Sequence, residues 1–185
     1  MTRTMVLGLL KANGSMSGYE IQQMMESSQT DMWAYVKPAS IYHALKKMQV
    51  EGKVALEKVE STGLRTRSIF KITEKGEYEL NQLLIDSFTN SSVVFPASLY
   101  TALTFMENLN DDQILSSLEK QKQEITRLYN SMKAGYELKQ KALGELPNNI
   151  NVIFNNMYEQ CELQLKTIEE IITFIKGGKY NEQKH

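Results

Sequence analysis

The sequence is poor in the residues that build covalent cross-links and metal centres. It has one cysteine, Cys161, so no disulfide can close within the chain. Its two histidines, His43 and His185, complete no ligand set at metal-binding spacing. Long apolar runs are missing too. The amino-terminal stretch MTRTMVLGLLKANG is too short to span a bilayer and has no small-residue cleavage site, so the protein is expected in the cytoplasm, away from membranes. There is no phosphate-binding glycine loop, no nucleophile beside a base and no recognisable pair of carboxylates. Neither an enzyme nor a cofactor is expected. What is present is ordinary globular material, 42% apolar and 23% charged over 185 residues, enough for one sizeable core or two small domains.

The net charge of −1 conceals an asymmetry. Residues 1–80 carry 11 Lys and Arg against 9 Asp and Glu, whereas residues 81–185 carry 10 against 13. Between Trp33 and Ile72 the count is 8 against 3, a local excess that marks the face able to meet a polyanion. A solvated mixed-charge surface is the bland alternative.

Hydrophobic spacing predicts a first helix over Thr4–Ala12, with Met5, Leu9 and Ala12 beside Val6 and Leu10 on its inner face and Asn13-Gly14 as its stop. Ser17-Gly18-Tyr19-Glu20 has the form of a capping box, so a second helix should start near Gly18 with Ile21, Met24 and Met25 inward. Pro38 suits the first turn of a third helix that runs to about Val50. There Ile41, Ala44, Leu45 and Met48 must bury, which leaves Ala39, Ser40, Tyr42, His43, Lys46 and Lys47 outward. Hydroxyls, an imidazole and two ammonium groups, with no carboxylate among them, can contact base edges and phosphates. Val54, Leu56 and Val59 then alternate with polar residues, Ser61-Thr62-Gly63 makes a turn, and Arg67–Ile72 returns as a strand. Thr73 caps a fourth helix with Glu74 and Glu77 in its first turn. The outline is mainly α with a small β hairpin, a winged helix-turn-helix.

The same stretch resembles the amino-terminal domain of PadR-type transcriptional regulators over roughly residues 3–80. Gly8-Leu9-Leu10, Ser17-Gly18-Tyr19-Glu20-Ile21, Ser40-Ile41-Tyr42-His43-Ala44-Leu45, Glu51-Gly52, Arg65-Thr66-Arg67 and Ile72-Thr73-Glu74-Lys75-Gly76 carry the resemblance, in order and near the family spacing. It implies a dimeric repressor on a roughly palindromic stretch of double-stranded operator DNA, with the third helix in the major groove and the wing on the flanking backbone. Carried over, the recognition positions are Ser40, Tyr42, His43 and Lys46, and the wing tip is Thr62 to Arg67, including Arg65 and Thr66. Lys37 and Lys47 extend this basic face, and Tyr19 is a structural residue whose hydroxyl reaches toward phosphate. Pairing of Arg65 or Arg67 with Glu57 or Glu60 across the hairpin is the alternative to DNA contact, and a core or phosphate-facing role the alternative for Tyr42. An exposed His43 on this face could make DNA binding depend on pH near neutrality, whereas most surface histidines have no such role.

The carboxy-terminal half is helical. We expect a winged-helix domain over 1–88, a linker over 89–95, a helical dimerisation domain over 96–178 and a flexible tail over 179–185. A short apolar helix over Pro96–Met106 aligns Leu99, Tyr100, Leu103 and Met106. A long helix from about Asp111, capped by Asn110 with Gln113, carries Ile114, Leu118, Ile125, Leu128 and Met132. In the last helix Phe154, Tyr158, Cys161, Leu165, Ile168, Ile172 and Ile175 follow alternating steps of four and three. That seam can serve a homodimer or bury against the preceding helix. Two half-sites about 10 base pairs apart favour the dimer, and relatives that resemble this chain dimerise through such helices. The resemblance also allows a small aromatic effector, for which Trp33, Phe95 and Tyr100 are candidate contacts. However, the lone tryptophan stands in the DNA-binding half, which departs from the branch that sandwiches ligand with a carboxy-terminal indole. Cys161 reads as a buried, inert thiol rather than a redox sensor, because no cation adjoins it in sequence. A helical dimer that acts through protein partners without DNA remains the alternative function.

Overall fold

Val6, Leu7 and Leu10 form the buried face of the first helix, α1 (Thr2–Asn13), in the computed structural model of the chain. The structure describes residues 1–28, 30–34, 36–62 and 65–177. Ala12, which the spacing placed inward, is exposed, because two residues beyond Leu10 it lies about 200° further round the helix. Gly14, at φ 80, ends the helix in the left-handed region. The capping box of α2 (Gly18–Ser27) is as expected: the Ser17 N–H and hydroxyl both donate to the Glu20 carboxylate at 2.7 Å, and the Glu20 N–H donates back to Ser17 Oγ at 3.2 Å.

Two short elements have no counterpart in the sequence reading. Met16–Ser17 form β1, and Asp31–Ala34 form a single-turn helix, α3. α4 (Pro38–Val50) then buries the four residues expected, Ile41, Ala44, Leu45 and Met48, against α1 and α2. β2 (Val54–Thr62) and β3 (Arg65–Ile72) pair antiparallel, and β1 adds to β3, giving the order β1-β3-β2. Pairing continues through Ser61↔Thr66 to Thr62↔Arg65, so the strand includes residues that the sequence pattern assigns to the turn. Gly63 and Leu64 of the expected wing tip lie outside the described residues, as do the side chains of Thr62 and Arg65 and the tail from residue 178. A bulge falls between Leu56 and Lys58; Val54, at the base of the hairpin opposite Ile72, is buried, while Leu56 and Val59, expected beside it, lie farther along β2 and are exposed.

α5 (Glu74–Thr89) is seated on the base of this wing. Thr73 Oγ1 accepts the Gly76 N–H at 3.2 Å and lies 2.8 and 3.1 Å from the Gly52 and Lys53 carbonyls. Arg3 of α1 bridges Glu51 and Glu79, and Lys53 pairs with Glu79. These elements belong to the first of two compact units, Met1–Val93 and Val94–His185.

In the second unit the expected helix over Pro96–Met106 is shorter. α6 (Ala97–Thr104) gives way to a 3-10 turn at Met106–Asn108, so Leu99 and Leu103 are partly buried and Met106 buried, while Tyr100 is exposed. α7 (Asp111–Leu143) has the expected Asn110–Gln113 capping box and is followed by α8 (Asn148–Lys176). Tyr136 meets Phe154, Tyr129 meets Tyr158 and Lys122 meets Glu169, so the two helices run antiparallel. Their core joins Met106, Ile114 and Leu118 to Ile168, Ile171, Ile172 and Ile175, whereas Leu128, expected inside, is exposed. Among the described residues no helix is long and apolar enough to cross a membrane.

Candidate nucleic-acid interface

α4 presents a polar face because its apolar residues are consumed by the core on the other side. Ala39, Tyr42, His43, Lys46 and Lys47 are exposed and Ser40 is half-buried. The Ser40 hydroxyl donates to the Lys37 carbonyl at 2.6 Å, which pins the helix start while leaving its oxygen lone pairs open to a donor. Lys37, the residue before the helix, is exposed. α4 holds no Asp or Glu along its length. Facing it across a groove of about 440 Å³ are the start of α2 and strand β3. Tyr19, Tyr42, Lys46, Thr66 and Arg67 all line this groove, so residues from three separated parts of the sequence share one wall system. Gln49 and Ser68 line it as well, and the sequence reading missed both. Gln49 stands one helical turn beyond Lys46, and Ser68 two residues beyond Thr66 on the strand, so the two periodicities point to them.

On the wing, cations and carboxylates are interleaved. Arg67 pairs in register with Glu60, and its guanidinium lies 3.9 Å from the Glu60 carboxylate and 3.9 Å from that of Glu20. Pairing across the hairpin, the alternative left open for Arg67, is therefore present in the structure. Lys58 contacts Glu60 at 2.7 Å and Lys71 lies 3.7 Å from Glu57. Hydrogen bonds from the Ser17 backbone N–H and then its hydroxyl hold the Glu20 carboxyl below the usual glutamate range, with smaller contributions from Arg67 and Lys58 and opposition from burial. Bonding to Glu60 raises the Lys58 ammonium in turn.

In the second unit the heptad seam faces α7 of the same chain. Cys161, Ile168, Ile172 and Ile175 are buried there, and Phe154, Tyr158 and Leu165 are partly buried. Phe154 and Tyr158 lie edge-on to Tyr136 and Tyr129 at centroid distances of 5.0 and 5.5 Å. Burial first, and then the Glu162 carboxylate, push the Cys161 thiol up, away from the reactive thiolate. Of the candidate ligand contacts, Phe95 and Tyr100 approach each other at 6.4 Å between ring centroids, both exposed. Trp33, in α3, is an exposed residue of the other unit.

A helix-turn-helix whose second long helix shows a polar, cationic face, flanked by a β hairpin that carries arginine, defines the winged helix-turn-helix class of DNA-binding domains. The family of that domain follows from its sequence: residues 6–82 match the "Transcriptional regulator PadR-like family", so the chain carries a PadR-like transcriptional regulator domain. Known structures share its fold over both units. Bacillus subtilis PadR in complex with operator DNA is 21% identical, with a TM-score of 0.74 over 94% of this chain and 98% of that one. The same protein in complex with p-coumaric acid gives 0.72 at 21% identity over 94% and 98%. The PadR-like regulator BC1756 from Bacillus cereus gives 0.68 at 19% identity over 96% and 99%. No curated protein matches the chain significantly.

Proposed function

We propose that the chain is a cytoplasmic, homodimeric repressor that reads a palindromic operator through α4 and grips the flanking backbone with its wing. The observation that carries this reading is the groove where Tyr42 and Lys46 of α4 face Tyr19, Thr66 and Arg67. Ser40, Tyr42, His43, Lys46 and Lys47 supply donors and acceptors to base edges, while Lys37, Arg65 and Arg67 supply charge to phosphates. The operator-bound relative supports the same use of the fold. Dimerisation belongs to the second unit. Since the seam's aliphatic residues are turned onto α7, the contact between copies falls to apolar side chains that this unit leaves exposed, among them Phe105, Leu109, Val152 and Leu163. The effector is a small aromatic molecule, a reading supported by the p-coumaric acid complex of the Bacillus subtilis relative. The chain acts by binding, with no catalytic step. Footprinting on duplex from upstream of its own gene tests this: two protected half-sites about 10 base pairs apart are expected, from a particle of twice the chain mass. A single protected half-site from a monomer would overturn the dimeric reading.

A further inference from the structure

Each wing cation on β2 or β3 whose side chain is described has a carboxylate beside it: Lys58 has Glu60, Lys71 has Glu57, and Arg67 stands between Glu20 and Glu60. The cationic face of α4, in contrast, carries no acidic residue. Arg67 is therefore the one described cation of the groove that is flanked by two carboxylates, each at 3.9 Å. That distance is too long for a hydrogen bond, so the guanidinium is attracted to both anions and locked by neither. All three side chains are more than a third exposed, where such pairs are weak and readily exchanged.

Building on the DNA-binding reading above, we propose that Glu20 and Glu60 are specificity-determining residues: they restrain Arg67, so that the wing does not hold duplex of arbitrary sequence. A phosphate that approaches Arg67 must displace two carboxylates and sit near their negative charge. When α4 is in register on its operator, base contacts offset that cost and Arg67 transfers to the backbone. On other sequences no such contacts exist, and the charge-balanced wing adds little to the counterion-release attraction that drives non-specific binding. Glu20 is suited to the task because its capping bonds with Ser17, a groove residue, hold the carboxylate 3.9 Å from Arg67.

The test uses the full-length chain with Glu20→Gln, Glu60→Gln and the double variant. Glutamine preserves the capping box at position 20 and is isosteric on the exposed strand at position 60. Each variant should bind a scrambled duplex about threefold more tightly than wild type, the double variant more tightly still, in line with the loss of one exposed ion pair each. Glu124→Gln, which removes the same charge from α7, should leave scrambled binding unchanged. If wild type prefers its operator and neither variant binds scrambled duplex more tightly, the inference is wrong although the regulator reading stands. If wild type ignores duplex DNA altogether, both fall together.

Discussion

Ser17 and Lys46 show how single side chains divide between folding and function. Ser17 is buried and bonded three ways with Glu20, so Ser17→Ala should cost about 1 kcal/mol of stability at neutral pH, measured by urea unfolding. The pH dependence has a defined sign. The Glu20 carboxyl lies below its ordinary value when folded, so its contribution is complete above the normal glutamate range and is lost as pH falls through the depressed folded value. The gap between variant and wild type should therefore narrow in acid. Lys46 is exposed at the groove wall, and Lys46→Ala should leave unfolding unchanged. It should weaken binding to the operator more than to a scrambled duplex, because the Lys46 ammonium is assigned to base edges. A drop in its melting temperature would mean that the face was assigned wrongly.

At the scale of elements, long segments with a strong period were legible in the sequence and short ones were not. The two faces of α4 follow from four apolar residues at helical spacing, and the caps at Ser17, Thr73 and Asn110 are local chemistry visible in four-residue windows. β1 and α3 are too short to display any period, and the alternation along β2 does not tell that Leu56 and Val59 lie farther from the hairpin base and are exposed. The groove was legible only in its separate walls. That Tyr19 faces Arg67 depends on β1 pairing with β3, a long-range contact that no local pattern encodes. The close seating of α5 on the wing is likewise a long-range contact, between Thr73 and Gly76 and the Gly52–Lys53 backbone. A Cβ at Gly76 would lie 2.1 Å from the Lys53 carbonyl oxygen, a backbone atom that cannot rotate away. Gly76→Ala should accordingly destabilise the domain by about 1–3 kcal/mol or more, read by urea unfolding, and loosen the wing as it does so. For α8, the sequence left open whether the seam serves a partner or its own chain. Ile168 is fully buried within the chain, so Ile168→Ala should cost about 2–5 kcal/mol by an amount independent of protein concentration. A loss that vanishes at high concentration would place that residue between copies instead.

For the whole molecule, the balance of charge matters more than its total. A chain with net charge −1 has no general attraction to DNA, so binding must come from the cluster between Trp33 and Ile72. On the proposed reading the second unit, with its α7–α8 hairpin, sets the spacing of two DNA-binding domains and adds no positive charge to them. Two winged-helix domains tied together should each engage a few phosphates, and their summed contacts set how steeply salt competes. The measurement that tests this most directly is titration of the purified protein onto duplex from upstream of its own gene, against a scrambled duplex, at two salt concentrations. For about six phosphates per dimer, the slope of log affinity against log salt should be roughly −5, with clear preference for the upstream duplex. Equal, salt-insensitive binding to both duplexes would contradict the account and favour a helical protein that works through protein partners.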